Sequence, residues 1–234
     1  MRRKKSPSAE ASGRTRLARS AASLLLTAFL IAPAAAYEAP LDPHSIREAY
    51  FLGQRNDEKM ARFLDTYVKH LPPPEKGPYI SEIQLLTPYA QVVDLSRQKT
   101  VGYSAQQAEQ DYRDHGDTIR VRVRIEFTAT YGLVEAQKAT RSGTSPGFTL
   151  RPEDFWKQFK VGLSQKDQWV EPLDTYGEPT YSLFNPGATP PVMNGALVYV
   201  EWNAADVSSS PANVEVFTPD GQHVVATFDL EKLR

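Results

Sequence analysis

The chain contains no cysteine, which excludes disulfides, thiol nucleophiles and thiolate metal sites. Histidine is scarce. His44, His70, His115 and His223 are the only four, they fall in separate segments, and neither an HExxH nor an EF-hand spacing accompanies them. No low-complexity tract or internal repeat follows residue 36. Positive charge is also short after that point. The whole chain has 27 basic and 28 acidic residues; taking away the seven basic residues and the single acid, Glu10, of the first 36 leaves 20 against 27, a net of −7. A body of that charge repels phosphate backbones and anionic lipid, so nucleic acid is excluded as a partner and membrane contact is confined to the N-terminal segment.

That segment is the first informative feature. "MRRKKSPSAEASGRTRLARS" is strongly basic, and the apolar run "AASLLLTAFLIAPAAA" follows it directly. A basic region, an apolar stretch of about 12 residues and small residues before a junction describe a secretory signal peptide. Ala34 and Ala36 form the small pair, with Tyr37 as the new N-terminus. An uncleaved anchor is the competing reading, since Ser20 to Ala36 is 17 residues, the lower edge of what spans a bilayer. Both readings keep the basic residues in the cytoplasm and place everything from Tyr37 onward outside it. Arg2-Arg3 is followed by Lys4-Lys5, which does not complete a twin-arginine signal, and without cysteine no lipoprotein anchor can form.

The remaining 198 residues are enough to bury roughly 70% of their unfolded surface, so cross-links are dispensable. Residues 37–76 read as a helical hairpin with a proline-rich connector. Asp42 caps a first helix with Pro43 at its first position and Gly53 at its end; Asn56 caps a second, along which Met60, Phe63, Leu64, Tyr67, Val68 and Leu71 form one apolar stripe. Pro72-Pro73-Pro74 stops it. The stripe either docks on the following domain or meets a partner.

Residues 77–234 read as a β-sandwich domain with two short helices inserted near 88–115. "YISEIQLLTP" is a strand, Thr87-Pro88 opens one helix, and Ser104 with Gln107 makes a capping box for another that Gly116 closes. From Ile119 to Tyr131 apolar residues alternate strictly with Arg120, Arg122, Arg124, Glu126, Thr128 and Thr130. Such a strand would run about 43 Å, so a bend or bulge partway is expected. Further alternation in "FKVGL", "QWVEP", "ALVYVEW", "ANVEVF" and "QHVVATFDL" brings the count to about seven strands, the last two joined by a type I turn and bulge at Thr218-Pro219-Asp220-Gly221. The expected fold class is mainly β (α+β), an antiparallel β-sandwich, immunoglobulin- or fibronectin-like in architecture, preceded by the helical hairpin. Between Glu171 and Gly195, five prolines and three glycines argue for a long irregular loop.

Candidate chemistry is sparse. Gly143-Thr144-Ser145-Pro146-Gly147 matches the G-x-S-x-G nucleophile pattern, and Ser145, Asp174 and His223 follow in the order of α/β-hydrolases. Pro146, however, has no N–H for the oxyanion, a donor worth on the order of 3 kcal/mol. Asp111, Asp114, His115 and Asp117 cluster in "DYRDHGD"; Asp111 and His115 share an i, i+4 relation that could hold a divalent ion, or simply mark a charged helix end. No metal and no cofactor is expected. Two surfaces remain as ligand-binding candidates. Arg120, Arg122 and Arg124 form a ladder about 6.6 Å apart, suited to the carboxylates of an acidic polymer or, equally, to pairing with carboxylates of neighbouring strands. Mutual repulsion between neighbouring arginines in water is only about 0.6 kcal/mol, which such carboxylates readily offset. Tyr176, Tyr181 and Phe184 offer aromatic area beside prolines, suited to peptide or sugar recognition or to capping the sandwich. The expected function is an exported, non-catalytic binding or structural module of the cell envelope with an envelope protein or polymer as partner; the alternative is an exported hydrolase with an unorthodox Ser/Asp/His site.

Overall fold

In the computed structural model, which describes residues 37–74, 77–99, 101–128, 152–182 and 192–234, the alternating segment "TIRVRVRIEF" is β3 (Thr118–Phe127), the centre of a five-stranded sheet. The neighbours of β3 are β2 (Pro78–Leu86) and β7 (Val192–Asn203). Outside them lie β1 (Val68–His70) and β6 (Asp174–Ser182), giving the order β1-β2-β3-β7-β6. A second sheet has the order β5-β4-β8-β9, built from β4 (Lys160–Gln165), β5 (Gln168–Val170), β8 (Ala212–Phe217) and β9 (His223–Phe228). Every strand pair is antiparallel.

Alternation decides which side of each strand is dry. Ile119, Val121, Val123 and Ile125 are fully buried and meet Val198, Val200 and Trp202 of β7 together with Leu163, Val214 and Val216 of the second sheet in a single apolar cluster. Burying each such side chain stabilises the fold by about 1.5–3 kcal/mol. Two antiparallel sheets sharing one core, with four helices added, make a mainly β, α+β structure among the described residues. The expected irregularity of the long strand falls on its partner: Ile80 faces Ile125 and Glu82 faces Arg124, so Ser81 is the extra residue of a bulge in β2. Residues 129–131 of the expected strand lie outside the described residues.

The helices begin where side-chain caps put them. Asp42 accepts the Ser45 N–H at 2.6 Å to start α1 (Pro43–Gln54), Thr87 starts α3 (Pro88–Gln98), and Ser104 starts α4 (Ala105–His115), which Gly116 ends with φ 81°. α2 (Glu58–Asp65) is capped by Asp57 and not Asn56, which instead turns the chain at φ 48°. The stripe expected to continue along this helix to Leu71 is divided. Met60 and Leu64 stay helical and pack with Ile46, Ala49, Tyr89 and Val93, whereas Tyr67 joins the main core and Val68–His70 becomes β1. The edge of β2 supplies Val68, Lys69 and His70 with a ladder, and the Leu85 N–H donates to the Tyr67 carbonyl at 3.0 Å, which draws the chain out of the helix.

Gly53 does not end α1, which runs on to Gln54; it is buried where a Cβ would lie 2.4 Å from the Val93 carbonyl oxygen, so it lets α1 lie close on α3. The segment after Glu171 is not irregular throughout either. β6 pairs on one side only, so Pro179 needs no N–H on its free side, and Gly177 gives the Trp156 indole room where a Cβ would stand 2.5 Å from the ring. The β8–β9 turn forms as the sequence implies: the Gly221 N–H donates to the Thr218 carbonyl at 3.1 Å, the Thr218 N–H to the Gln222 carbonyl at 3.0 Å, and Gly221 takes φ 90°.

Candidate functional site

The arginine ladder projects from the first sheet on the side away from the core. Register sets the surroundings of each rung: Arg120 lies between Leu86 and Glu201, Arg122 between Gln84 and Tyr199, and Arg124 between Glu82 and Leu197. The Arg120 Nε donates to Glu201 Oε1 at 2.8 Å, and His115 Nε2 lies 3.3 Å from the same oxygen. Arg122 Nη2 donates to Glu82 Oε1 at 3.2 Å, while its Nε and the Gln84 Oε1 are buried without hydrogen-bond partners. Among the described residues Arg124 makes no ion pair. The ladder is therefore half-buried and neutralised at two rungs by its own sheet.

β6 extends this face. Tyr176 stands opposite Tyr199, the rings stack at 4.8 Å and 12°, and Tyr176 keeps 42% of its surface exposed. Burial raises the pKa of both phenols, so they remain neutral donors at physiological pH. Arg120, Arg122, Arg124 and Tyr176 thus share one face. Tyr181 lies beyond a register shift between Thr180 and Tyr181, where its hydroxyl donates to Glu153 at 3.3 Å, and Phe184 lies outside the described residues.

The acid and base of the Ser/Asp/His set do not meet. Asp174 opens β6 opposite Glu201 in the first sheet, and its carboxylate accepts the Thr175 N–H at 2.8 Å. His223 opens β9 in the second sheet, pairs with Glu215 at 2.8 Å and stacks on Phe217 at 4.3 Å. Ser145 lies outside the described residues. Asp111 and His115 also diverge. Asp111 accepts from Lys99 at 2.8 Å and Gln107 at 3.0 Å, bonds that hold its carboxyl below the usual range, while His115 turns to Arg120 and Glu201. Among the described residues no three His, Cys, Asp or Glu side chains converge as a metal site.

Comparison with known proteins gives no match: no family model, no curated protein and no solved structure is significantly similar to this chain. Function has to be argued from its own surfaces. Among the described residues no helix is long and apolar enough to cross a membrane.

Sequence reasoning passed over the outward face of the second sheet. Trp169, Phe217 and Val225 are exposed there, with Glu215, Ser164 and His223 among them. The signal was present in "ANVEVF": once Val214 and Val216 point inward, Glu215 and Phe217 must point outward, and an outward phenylalanine on a half-solvated sheet is informative.

Proposed function

We propose that the protein is an exported, non-catalytic binding or structural module of the cell envelope, whose body has the immunoglobulin- or fibronectin-like sandwich architecture. The basic and apolar first 36 residues support export, and two antiparallel sheets around one core support the architecture. One observation carries the binding role: the stacked Tyr176–Tyr199 pair stands opposite Arg122, and the next rung on the same face is Arg124, a guanidinium with no ion pair among the described residues, on a rigid sheet and not on a loop. A planar cation and a partly exposed aromatic pair are the side chains most enriched at association surfaces. The partner is an envelope protein or polymer that presents a carboxylate to Arg124 and an apolar surface to Tyr176.

The test is recovery of envelope components by the tagged chain after crosslinking in cells. Tyr176→Ala combined with Arg124→Ala is expected to lower recovery of the specific component at least tenfold with an unchanged melting temperature. Undiminished recovery overturns the role of this face. A hydrolytic turnover that disappears in Ser145→Ala would overturn the non-catalytic reading and favour the hydrolase.

A further inference from the structure

The outward face of the second sheet differs in kind from that of the first, for its exposed area is aromatic. Trp169 lies across β4 at Gly162, where any Cβ would stand 2.4 Å from the indole Cζ3, and it keeps 57% of its surface in solvent. Phe217, 38% exposed, has its ring centroid 6.4 Å from that of Trp169 at a tilt of 48° and is stacked on the other side by His223. Single exposed apolar residues are ordinary, but Trp169, Phe217 and Val225 on one sheet face form a patch. Polar groups are set within it. Glu215 is held by the Ser164 hydroxyl at 2.7 Å and by His223 at 2.8 Å, and each of its oxygens retains capacity to accept a further bond. Beside Trp169 opens a groove of about 470 Å³ whose other walls include Lys166, Gln168, Glu171, Asp206 and Ser208.

The occupant must satisfy both features. A partner with an apolar protein surface would cover the rings but strip water from Glu171, Asp206 and Gln168 without replacing their hydrogen bonds, at a cost of about 1–3 kcal/mol for each neutral group and more for each charge. A nucleotide, phosphate or polyuronate would bring negative charge to Glu215, Glu171 and Asp206, which outnumber the two cations there, Lys160 opposite Phe217 and Lys166 in the groove wall, on a body of net −7. An uncharged pyranose chain fits: its C–H faces lie flat on aromatic rings, and its hydroxyls donate to carboxylates and amides while displacing water one for one.

We propose that the outward face of the second sheet, centred on Trp169, Phe217 and Glu215, binds an uncharged glycan, with a pyranose ring stacked on Trp169, its neighbour packed against the exposed part of Phe217, and hydroxyls donating to Glu215. This is a different surface from the arginine and tyrosine face, and its test is independent of that reading. The full chain is run by affinity electrophoresis through gels containing a soluble neutral β-glucan, a soluble N-acetylglucosamine polymer, or a polyuronate as the anionic control. Retardation by at least one neutral polymer and none by the polyuronate is expected. Trp169→Ala should weaken it at least tenfold, Trp169→Phe should keep a measurable part, and Phe51→Ala, at an exposed aromatic of α1, should leave it unchanged. Because Trp169 is exposed, the variant is expected to melt like the parent; Phe217→Ser with indole emission as the readout serves as a second variant. No retardation by either neutral polymer, retardation by the polyuronate alone, or retardation indifferent to both Trp169→Ala and Phe217→Ser overturns the proposal.

Discussion

Gly53 shows what a single atom decides. A methyl group there would press on the Val93 carbonyl oxygen at 2.4 Å and the Ser96 Cβ at 2.7 Å, both on α3, and carbonyl and Cβ have no rotamer with which to yield. Alanine raises helix propensity by about 1 kcal/mol but overpacking of this kind costs about 1–3 kcal/mol, so α1 must lift from α3. Gly53→Ala is expected to lose about 1 kcal/mol net and a few degrees of melting temperature, read by thermal and urea unfolding. A stabilised Gly53→Ala would mean that the two helices are not in tight contact. The sequence presents Gly53 as a helix end because glycine often follows the last turn. A second helix crossing at that residue is tertiary information that no local pattern carries. The arginines are similar: period two shows that Arg120, Arg122 and Arg124 share a side, but only the folded sheet sets Glu201 opposite the first and Glu82 opposite the third, and Glu82 then pairs diagonally with the second, leaving the third without an ion pair among the described residues.

Elements were legible in proportion to how local their causes are. The starts of α1, α3 and α4 and the β8–β9 turn depend on contacts within four residues, and Asp42, Thr87, Ser104 and Gly221 announce them. The end of α2 and the existence of β6 depend on a neighbouring strand, which overrides both the helical stripe through Val68 and the breaking tendency of Gly177 and Pro179. The second sheet's aromatic face was hidden for the same reason, since Trp169 of β5 reaches Phe217 of β8 only across β4. Thr87 ties local and distant causes together. It is fully buried, its Oγ1 accepts the Ala90 N–H at 3.3 Å, and it donates to the carbonyl of Arg234. The isosteric Thr87→Val removes the cap and one of the two donors to that oxygen, the Tyr67 hydroxyl being the other, a loss of about 1–2 kcal/mol. Thr87→Ser is expected to recover most of it. Equal stability of the valine and serine variants in urea titration would show that the hydroxyl contributes nothing.

At the scale of the whole molecule, two buried phenols tie distant parts of the chain to one another and should set its alkaline limit. Tyr67 donates to the Arg234 carbonyl at 2.8 Å and accepts the Arg234 N–H at 3.0 Å, while Tyr37 donates to the carbonyls of Ala204, at 2.9 Å, and Val207. Burial pushes both from an ordinary 10.0 up to about 12. Below pH 10 both remain protonated whether the chain is folded or not, so the preference for the neutral form contributes fully and stability is flat with respect to them. Between about pH 10 and 12 the unfolded chain releases these protons and the folded one retains them, so the unfolded state binds fewer and stability falls as pH rises. Asp42 and Asp57 act at the other end. Backbone N–H groups of Ser45 and Met60 hold these carboxyls below the usual 3.8, so their contribution is present above that value and is lost as pH falls through the lowered one. The urea midpoint is therefore expected to decline steadily above pH 10. Tyr67→Phe cannot ionise, so it should start from a lower midpoint, having lost its bonds to Arg234, yet decline less steeply than the parent. Parallel alkaline slopes for parent, Tyr67→Phe and Tyr37→Phe would show that neither phenol governs that limit.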